Sequence, residues 1–445
     1  MSEYACFWGC YIQARLPHIE KSTRAVMQRL GVDCVDLPGL TCCPEKTMVR
    51  NMSHRAWLLA AARNLSVAEE RGLHFITPCP GCFATLRGAG AELRSRPHVA
   101  QQVNRDLARI GRRYRGQATA LHILDFIYRR FGISGIRQRL LRPMNGLRVA
   151  VHYGCHLLRP SGELLFDNPA APRKFDELVQ ALGATSIAYS TKQLCCGGLL
   201  LRAGDEQTSQ AMARLKLRDV AEQQPDCICL ACPSCMMQYD GAQLLLQRRG
   251  EELNVPIFYY TELLGLVMGL EPDELGLSSH RVSVEPFLKK WQSVQAARAQ
   301  LAERWDLSLL QACAECGACE SDCPVFQTDP SFQPNSIVRR IAAGEIEAVL
   351  RDGSFWRCVE CCACDEQCFQ RYSMLDIFRA AKSLAAQKGL APAPILQGMS
   401  AFRENAMLAQ PSAAQRKRLG LPDIAPPGKE ELALLLNEQK EVNEK

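Results

Sequence analysis

No apolar run in the sequence is long enough to cross a bilayer. The longest, Ile257 to Leu270 (IFYYTELLGLVMGL), falls short of the about 20 residues a span requires and contains Glu262. The N-terminus, MSEYACFWGC, lacks a basic segment and a small-residue cleavage site, so no export signal is expected and a cytoplasmic location is. No GxGxxG or Walker motif is present, so no nucleotide or flavin site is expected in this chain. Charge is not strongly skewed: the formal net charge is +6, and 22% charged against 47% hydrophobic residues excludes global disorder. A length of 445 residues predicts two or three domains.

What is abundant is cysteine, 23 residues of it. A cytosolic compartment keeps thiols reduced, and a chain this long has no need of disulfide staples. Thiolate ligation of soft metals is the remaining bulk use. The cysteines fall into three groups separated by nearly cysteine-free sequence, which predicts three metal-binding units.

The first two groups are an internal repeat. Cys10, Cys42–Cys43 and Cys79-Pro-Gly-Cys82 match Cys155, Cys195–Cys196 and Cys232-Pro-Ser-Cys235. The step from the second cysteine of the pair to the next CxxC is 36 residues in both halves. Such a period implies duplication of a whole domain. Tyr4 to Trp8 and Leu147 to Tyr153 read as buried strands running into a cysteine; His74 to Thr77 and Cys227 to Ala231 read as short strands running into CPxC. Arg24 to Leu30 and Lys174 to Leu182 read as amphipathic helices closed by Gly31 and Gly183. The alternation predicts α/β halves with ligands at strand ends. Five matched cysteines per half exceed the four that a tetrahedral zinc or an ordinary cubane takes. They suit a larger or irregular cluster, or a four-ligand site with one spare thiol.

The third group is different. CAECGACESDC and CVECCACDEQC both read C-x2-C-x2-C-x3-C, the two-cluster bacterial ferredoxin pattern in which the fourth cysteine of each run serves the other cluster. One cubane is therefore assigned to Cys313, Cys316, Cys319 and Cys368, and the other to Cys358, Cys361, Cys364 and Cys323. A pair of zinc sites would instead show separated CxxC pairs. Ser336 to Val349, between the runs, has helical periodicity, which predicts a mostly α-helical unit.

These residues carry a resemblance. The two CC…CPxC sets, with GCYIQARLPHIEKSTRAVMQRLGV, HYGCHLLRP and YYTELLGLVMGLEPDELGLSSHRV, resemble the cysteine-rich CCG domains found in the B subunit of heterodisulfide reductase. Trp305 to about Pro392, with FWRCVECCACDEQC, resembles the C subunit of the same enzyme, so the chain looks like a B/C fusion over roughly residues 1–400. The resemblance implies two noncubane [4Fe-4S] clusters on Cys10, Cys42, Cys43, Cys79, Cys82 and on Cys155, Cys195, Cys196, Cys232, Cys235. They would face each other across a pocket in which a disulfide is split or, in reverse, two thiols are oxidised, each sulfur landing on an iron. It also implies that the two [4Fe-4S] cubanes act as a wire from a flavin-containing partner like the A subunit of heterodisulfide reductase, or from another electron donor. The alternatives are a subunit for electron transfer only and a non-redox scaffold with zinc in the first two units. The fold expected is a pair of α/β duplicated cysteine-rich domains, 1–146 and 147–285, then a linker, 286–305. A helical ferredoxin-like domain, 306–400, and a C-terminal tail, 401–445, follow.

Two departures from the family pattern stand out. Pro44 follows the first cysteine pair where the family has glycine; it removes an N–H donor that could serve a cluster sulfur. Phe369 follows Cys368 where ferredoxin runs commonly have proline.

Outside the ligand sets, Cys6 and Cys34 are expected to be core thiols and Cys362 a packing residue. Of Cys227 and Cys229, which alternate on one strand, one should face the core. His156, beside Cys155, is the candidate proton donor to a thiolate product, with His152 expected to be buried. Arg87 to Arg142 holds 13 arginines against Glu92, Asp106 and Asp125. Lacking a nucleic-acid motif, it reads as a solvated helical face, or as a surface for an acidic partner or an anionic substrate. Neither nucleic acid nor a membrane span is expected. The proline-rich APAPILQG and PPG stretches and the end, KEELALLLNEQKEVNEK, predict a loose tail with a short amphipathic helix.

Overall fold

The computed structural model describes residues 4–251, 253–303, 305–369, 371–409, 411–422 and 428–442. The chain divides into two compact units, Met1–Arg298 and Ala299–Lys445.

The first unit contains two four-stranded parallel sheets. One is built from β1 (Tyr4–Cys6), β2 (Cys34–Asp36), β3 (His74–Thr77) and β4 (Ala120–His122), in the order β2-β1-β3-β4. The other is built from β5 (Arg148–His152), β6 (Thr185–Ile187), β7 (Cys227–Leu230) and β8 (Ile257–Tyr259), in the order β6-β5-β7-β8. The repeat seen in cysteine spacing is thus a repeat of topology. In each sheet the chain crosses from the first strand to one side and returns on the other. The gap between β1 and β3, and between β5 and β7, is therefore a topological switch point, where open α/β sheets place ligands.

The strands are short and apolar because helices cover both faces. All four residues of β7 are buried, Cys227 and Cys229 included. The expectation that one of the two faces the core is exceeded: on a sheet covered on both sides, both faces are core. Cys6 and Cys34 depart further. They are paired as a disulfide across neighbouring parallel strands, with Cα atoms 5.8 Å apart, where separate core thiols were expected. β1 and β2 pair Tyr4 with Cys34 and Cys6 with Asp36, so the two sulfurs meet diagonally. Strand adjacency brings them together, and sequence separation conceals it.

One buried cluster runs across both halves, and the first half keeps a second of its own around Trp57, Leu65 and Phe75. Helix Pro17–Arg29 packs on helix Tyr260–Val267, and Ile19, Val26, Phe258, Tyr260 and Leu264 belong to the same buried cluster. Tyr259 donates its hydroxyl to the Pro78 carbonyl, and His122 Nε2 lies 3.2 Å from the Ala231 carbonyl oxygen. These contacts tie the C-terminal ends of β8 and β4 to the residues just past β3 and β7 of the opposite sheet. Helix Glu285–Ala302 starts in this unit: Phe287, Leu288 and Trp291 enter its core, and Gln295 Nε2 donates to the Pro143 carbonyl at 2.8 Å.

Among the described residues, the regular elements of the second unit are all helices. Asp306 caps helix Leu307–Cys316, accepting from Ser308 and Leu309 N–H groups at 2.8 and 3.1 Å. The helix stops at Gly317, φ +57°, where a Cβ would lie 2.8 Å from the Asn335 side chain. The periodic stretch between the cysteine runs forms two helices, Pro334–Ala342 and Ile346–Asp352, because Gly344 (φ +90°) ends the first. Helix Met374–Gln387 packs on them through Ile377, Phe378 and Ala381. Beyond it the chain is helical over Ala393–Asn405, Ala413–Arg418 and Lys429–Val442. Pro426 and Pro427 of the PPG stretch lie outside the described residues. Among the described residues no helix is long and apolar enough to cross a membrane.

Candidate cluster sites

Each of the ten cysteines of the two repeated sets is delivered by a strand end, a helix start or a loop. Cys10 follows β1 and Cys155 follows β5. Cys79 and Cys232 stand at the N-cap positions of helices Pro80–Ser95 and Pro233–Arg248, each with proline at the first helical turn. Cys82 and Cys235 follow three residues on, so one helix N-terminus presents two sulfurs beside its free N–H groups. Thr77 Oγ1 accepts from the Cys79 N–H at 3.2 Å and fixes that turn. The adjacent pairs, Cys42–Cys43 and Cys195–Cys196, arrive from loops.

The sulfurs converge. Cys42 Sγ lies 3.6 Å from Cys10 Sγ, and Cys155 Sγ lies 3.9 Å from Cys195 Sγ. All ten cysteines of the two sets line one pocket, together with Tyr11, Glu45, His156, Arg202 and Ser234. Crowding shows in their acidities. Hydrogen bonds from Cys42 and Cys82 hold the Cys43 thiol well below the ordinary thiol range. Those from Cys155 and Cys196, with the Gly197 N–H, do the same for Cys195. Glycines keep the cradle open: a Cβ on Gly9 would sit 2.6 Å from Cys82 Sγ, and one on Gly154 would sit 3.8 Å from Cys235 Sγ. Five converging soft thiolates per half, lined by glycine, fit an iron–sulfur cluster.

The halves are not equivalent. In the second, Gly197 adopts φ +79°, and the Gly198 N–H reaches Cys196 Sγ at 3.5 Å. Pro44 stands in the Gly197 position and has no N–H to offer Cys42. Glu45, in the Gly198 position, projects a carboxylate into the pocket instead. Its Oε2 accepts from the Thr47 N–H at 3.2 Å, while its buried Oε1 has no hydrogen-bond partner.

His156 lines the pocket, 3.8 Å from Glu45 Oε1. Burial, and then the Lys46 cation, push its pKa down while Glu45 opposes them. His152 is buried behind the second set, with Nε2 3.3 Å from Cys235 Sγ and Nδ1 3.0 Å from Lys216 Nζ. Lys216 is itself 1% exposed; burial lowers its pKa to about 8, against the pull of the Cys235 and Cys196 sulfurs.

None of the 13 arginines between Arg87 and Arg142 lines the pocket. Several pair locally: Arg96 with Glu92, Arg129 with Asp125, Arg142 with Glu271. The arginine at the pocket is Arg202, which sequence reasoning passed over. Its Nη2 donates to Ser234 Oγ at 2.9 Å, and its guanidinium lies 4.6 Å from the centre of the Tyr11 ring. Its signal was proximity to the second cysteine pair, on the short helix Gly198–Arg202. Lys216 gave none, since a lysine in an amphipathic helix ordinarily faces water.

In the second unit one cavity is lined by Cys313, Cys316, Cys319 and Cys368, with Cys364 at its edge. A second is lined by Cys323, Cys358, Cys361 and Cys364, with Cys319 and Cys362. The last cysteine of each run thus stands with the first three of the other. Cys362 adopts φ +65°, and its Sγ approaches the Glu360 carbonyl at 3.5 Å.

Comparison with known proteins follows the same division. The profile of the cysteine-rich domain CCG matches residues 4–87 and 149–240, and that of a 4Fe-4S dicluster domain matches 309–371. The chain is similar to the B subunit of the ferredoxin/F(420)H(2)-dependent CoB-CoM heterodisulfide reductase of Methanosarcina acetivorans. The two are 38% identical over 298 residues, 66% of this chain and 99% of that protein. It is also similar to the 8-methylmenaquinol:fumarate reductase membrane anchor subunit of Wolinella succinogenes, 30% identical over 62% of this chain and 95% of that one. The C-terminal part is similar to the C subunit of the H(2):CoB-CoM heterodisulfide,ferredoxin reductase of Methanothermobacter thermautotrophicus, 27% identical over 26% of this chain and 64% of that one. A crystal structure of a hypothetical protein from Helicobacter pylori shares the fold with TM-score 0.52 at 14% identity, covering 63% of this chain and 52% of that one.

Proposed function

The chain belongs to the family of heterodisulfide reductase B subunits, continued by a dicluster region like the C subunit of that enzyme, and on that premise we propose that it cleaves a small-molecule disulfide in the pocket between its two five-cysteine sets. It is an iron–sulfur subunit of an oxidoreductase complex acting on sulfur compounds. The observation that carries the finer reading is that all ten cysteines of the duplicated sets open onto one pocket.

In this reading Cys10, Cys42, Cys43, Cys79 and Cys82 hold one noncubane [4Fe-4S] cluster, and Cys155, Cys195, Cys196, Cys232 and Cys235 hold the other. The two cubanes of the second unit sit on the cysteines assigned to them by spacing. When bound, the clusters supply the two electrons that a disulfide takes up as its sulfur–sulfur bond breaks. The chain's own side chains do the rest. Arg202, stacked on Tyr11 and anchored by Ser234, holds an anionic group of the substrate such as a carboxylate, sulfonate or phosphate. His156 delivers a proton to a product thiolate, oriented by Glu45. Glycines and apolar walls shield the buried sulfurs of Cys43, Cys82, Cys196 and Cys235. The partner is a flavin-containing protein like the A subunit of heterodisulfide reductase, or another electron donor, and the domain limits are those given by the repeat.

A second reading, an electron relay that cleaves no disulfide, is favoured by the similarity to the fumarate reductase subunit of Wolinella succinogenes. Anaerobic EPR of the oxidised, iron-quantified protein separates the two. Titration with a panel of low-molecular-weight thiols and disulfides, anionic and neutral, should raise a new signal that grows stoichiometrically with one anionic thiol. Silence across the panel, with all clusters present and reducible, selects the relay.

A further inference from the structure

Away from the pocket, the junction of the two α/β halves holds a buried cluster that the cysteine chemistry does not use. Helix Pro17–Arg29 carries His18, helix Tyr260–Val267 carries Glu262, and His280 follows the short turn Leu277–Ser279. His18 is 4% exposed, Glu262 is 0% exposed, and the His280 side chain is 1% exposed. One donor atom from each lies within 4.8 Å of the others. His280 Nε2 is 3.0 Å from Glu262 Oε1, and His18 Nε2 is 4.0 Å from the same oxygen.

The hydrogen-bond pattern around these groups is incomplete. Neither ring nitrogen of His18 has a hydrogen-bond partner. A neutral imidazole carries one donor and one acceptor, and leaving both unmatched in a dry interior is costly. The 4.0 Å between His18 Nε2 and Glu262 Oε1 is too long for a hydrogen bond. Two ligands at about 2.0–2.2 Å from a tetrahedral ion lie about 3.3–3.6 Å apart, so His18 Nε2 would move inward by about half an ångström to join Glu262 Oε1 on one ion. Two imidazoles and a carboxylate are a zinc donor set. Asp240, also buried with Oδ1 unpartnered, interacts electrostatically with His280. Together with Glu262 it would balance the charge of a dication.

The backbone is shaped to close this cluster. Gly276, φ +73°, passes so near that a Cβ there would lie 3.0 Å from His18 Cβ. Ser22 and Thr261 hydroxyls meet at 2.9 Å across the same helix pair.

We infer that His18, Glu262 and His280 bind one zinc ion that staples the first α/β half to the second. The site is buried and lies outside the cysteine-lined pocket, and its three protein ligands leave the fourth position of a tetrahedral ion to a water molecule. The inference does not depend on which redox reaction the cysteine sites perform.

The test uses the full chain, expressed with added zinc and purified anaerobically. Elemental analysis should find about one zinc per chain beside the iron, and zinc-edge X-ray absorption should show a nitrogen and oxygen shell at about 2.0–2.1 Å with no sulfur. His18→Leu should lose the zinc more than about tenfold while iron and visible absorption stay unchanged. Full iron with no zinc overturns the site. So does zinc with a sulfur shell near about 2.3 Å, which would place it in the cysteine sets. The spectrum of the unaltered chain decides the matter even if the variant does not fold.

Discussion

His122 shows how one side chain records a packed interface. It caps helix Ile123–Arg137 through Nδ1, reaches the Ala231 carbonyl through Nε2, and is completely buried. Burial lowers its pKa to about 3 from 6.5. The unfolded chain therefore binds a proton below about 6.5 that the folded chain refuses until about 3, so stability falls as pH drops through this window, by up to about 1.4 kcal/mol per unit. His122→Gln should show a smaller loss of thermal midpoint between pH 7 and pH 5 than the unaltered chain. An equal loss in both would mean that the acid sensitivity arises elsewhere. Arg202 acts on the ligand: Arg202→Leu should raise KM about tenfold for an anionic disulfide, near 1.4 kcal/mol, and change it little for a neutral one. Pro44→Gly restores an N–H beside the first cysteine pair. One added hydrogen bond of about 1 kcal/mol to a cluster sulfur should raise that cluster's potential by about 40 mV in an EPR-monitored redox titration.

At the scale of elements, much was legible and the reasons are physical. A strand running into CPxC and a proline-started helix is a local signal, and His74–Thr77 with Pro80–Ser95 and Cys227–Leu230 with Pro233–Arg248 form as that signal predicts. What local pattern could not carry was adjacency. The Cys6–Cys34 pair depends on which strand neighbours β1, and the exclusion of Arg87 to Arg142 from the pocket depends on which way their helices face. The single helical stretch between the ferredoxin runs breaks in two because its periodicity continues across Gly344 while its backbone does not. Turn conformation also sets the most sensitive point in the second set. Gly197 holds φ +79° with the Ser209 carbonyl oxygen 3.0 Å from where a Cβ would stand. Gly197→Ala should cost about 1–3 kcal/mol, visible as a lower thermal midpoint and reduced iron content.

At the scale of the whole molecule, the proposed function joins a catalytic pair of domains to a separate electron-carrying unit, and the two are open to separate assay. Cys316→Ser or Cys361→Ser should abolish turnover driven by a protein partner. Artificial one-electron donors should still drive disulfide cleavage in the first unit. Loss of both activities with the first-unit clusters intact would mean that electrons do not enter through the ferredoxin-like runs. The charge at the pocket mouth also belongs to this scale. Glu45, His156 and Arg202, which line it, come from both halves, so neither half alone makes the pocket.

That last point gives the duplication a consequence for orientation. Two copies of one domain facing each other would make a two-fold symmetric cleft, and such a cleft cannot tell the left end of a ligand from the right. Here Glu45 stands on one wall where Gly198 stands on the other, and His156 and Arg202 come from the second half alone, so one wall offers a carboxylate and the other a cation and an imidazole. On the proposed function, an unsymmetrical disulfide entering this cleft would meet a different neighbour at each sulfur and have one preferred direction. Its two thiol products are then distinguishable to the protein, and they can leave in a fixed order.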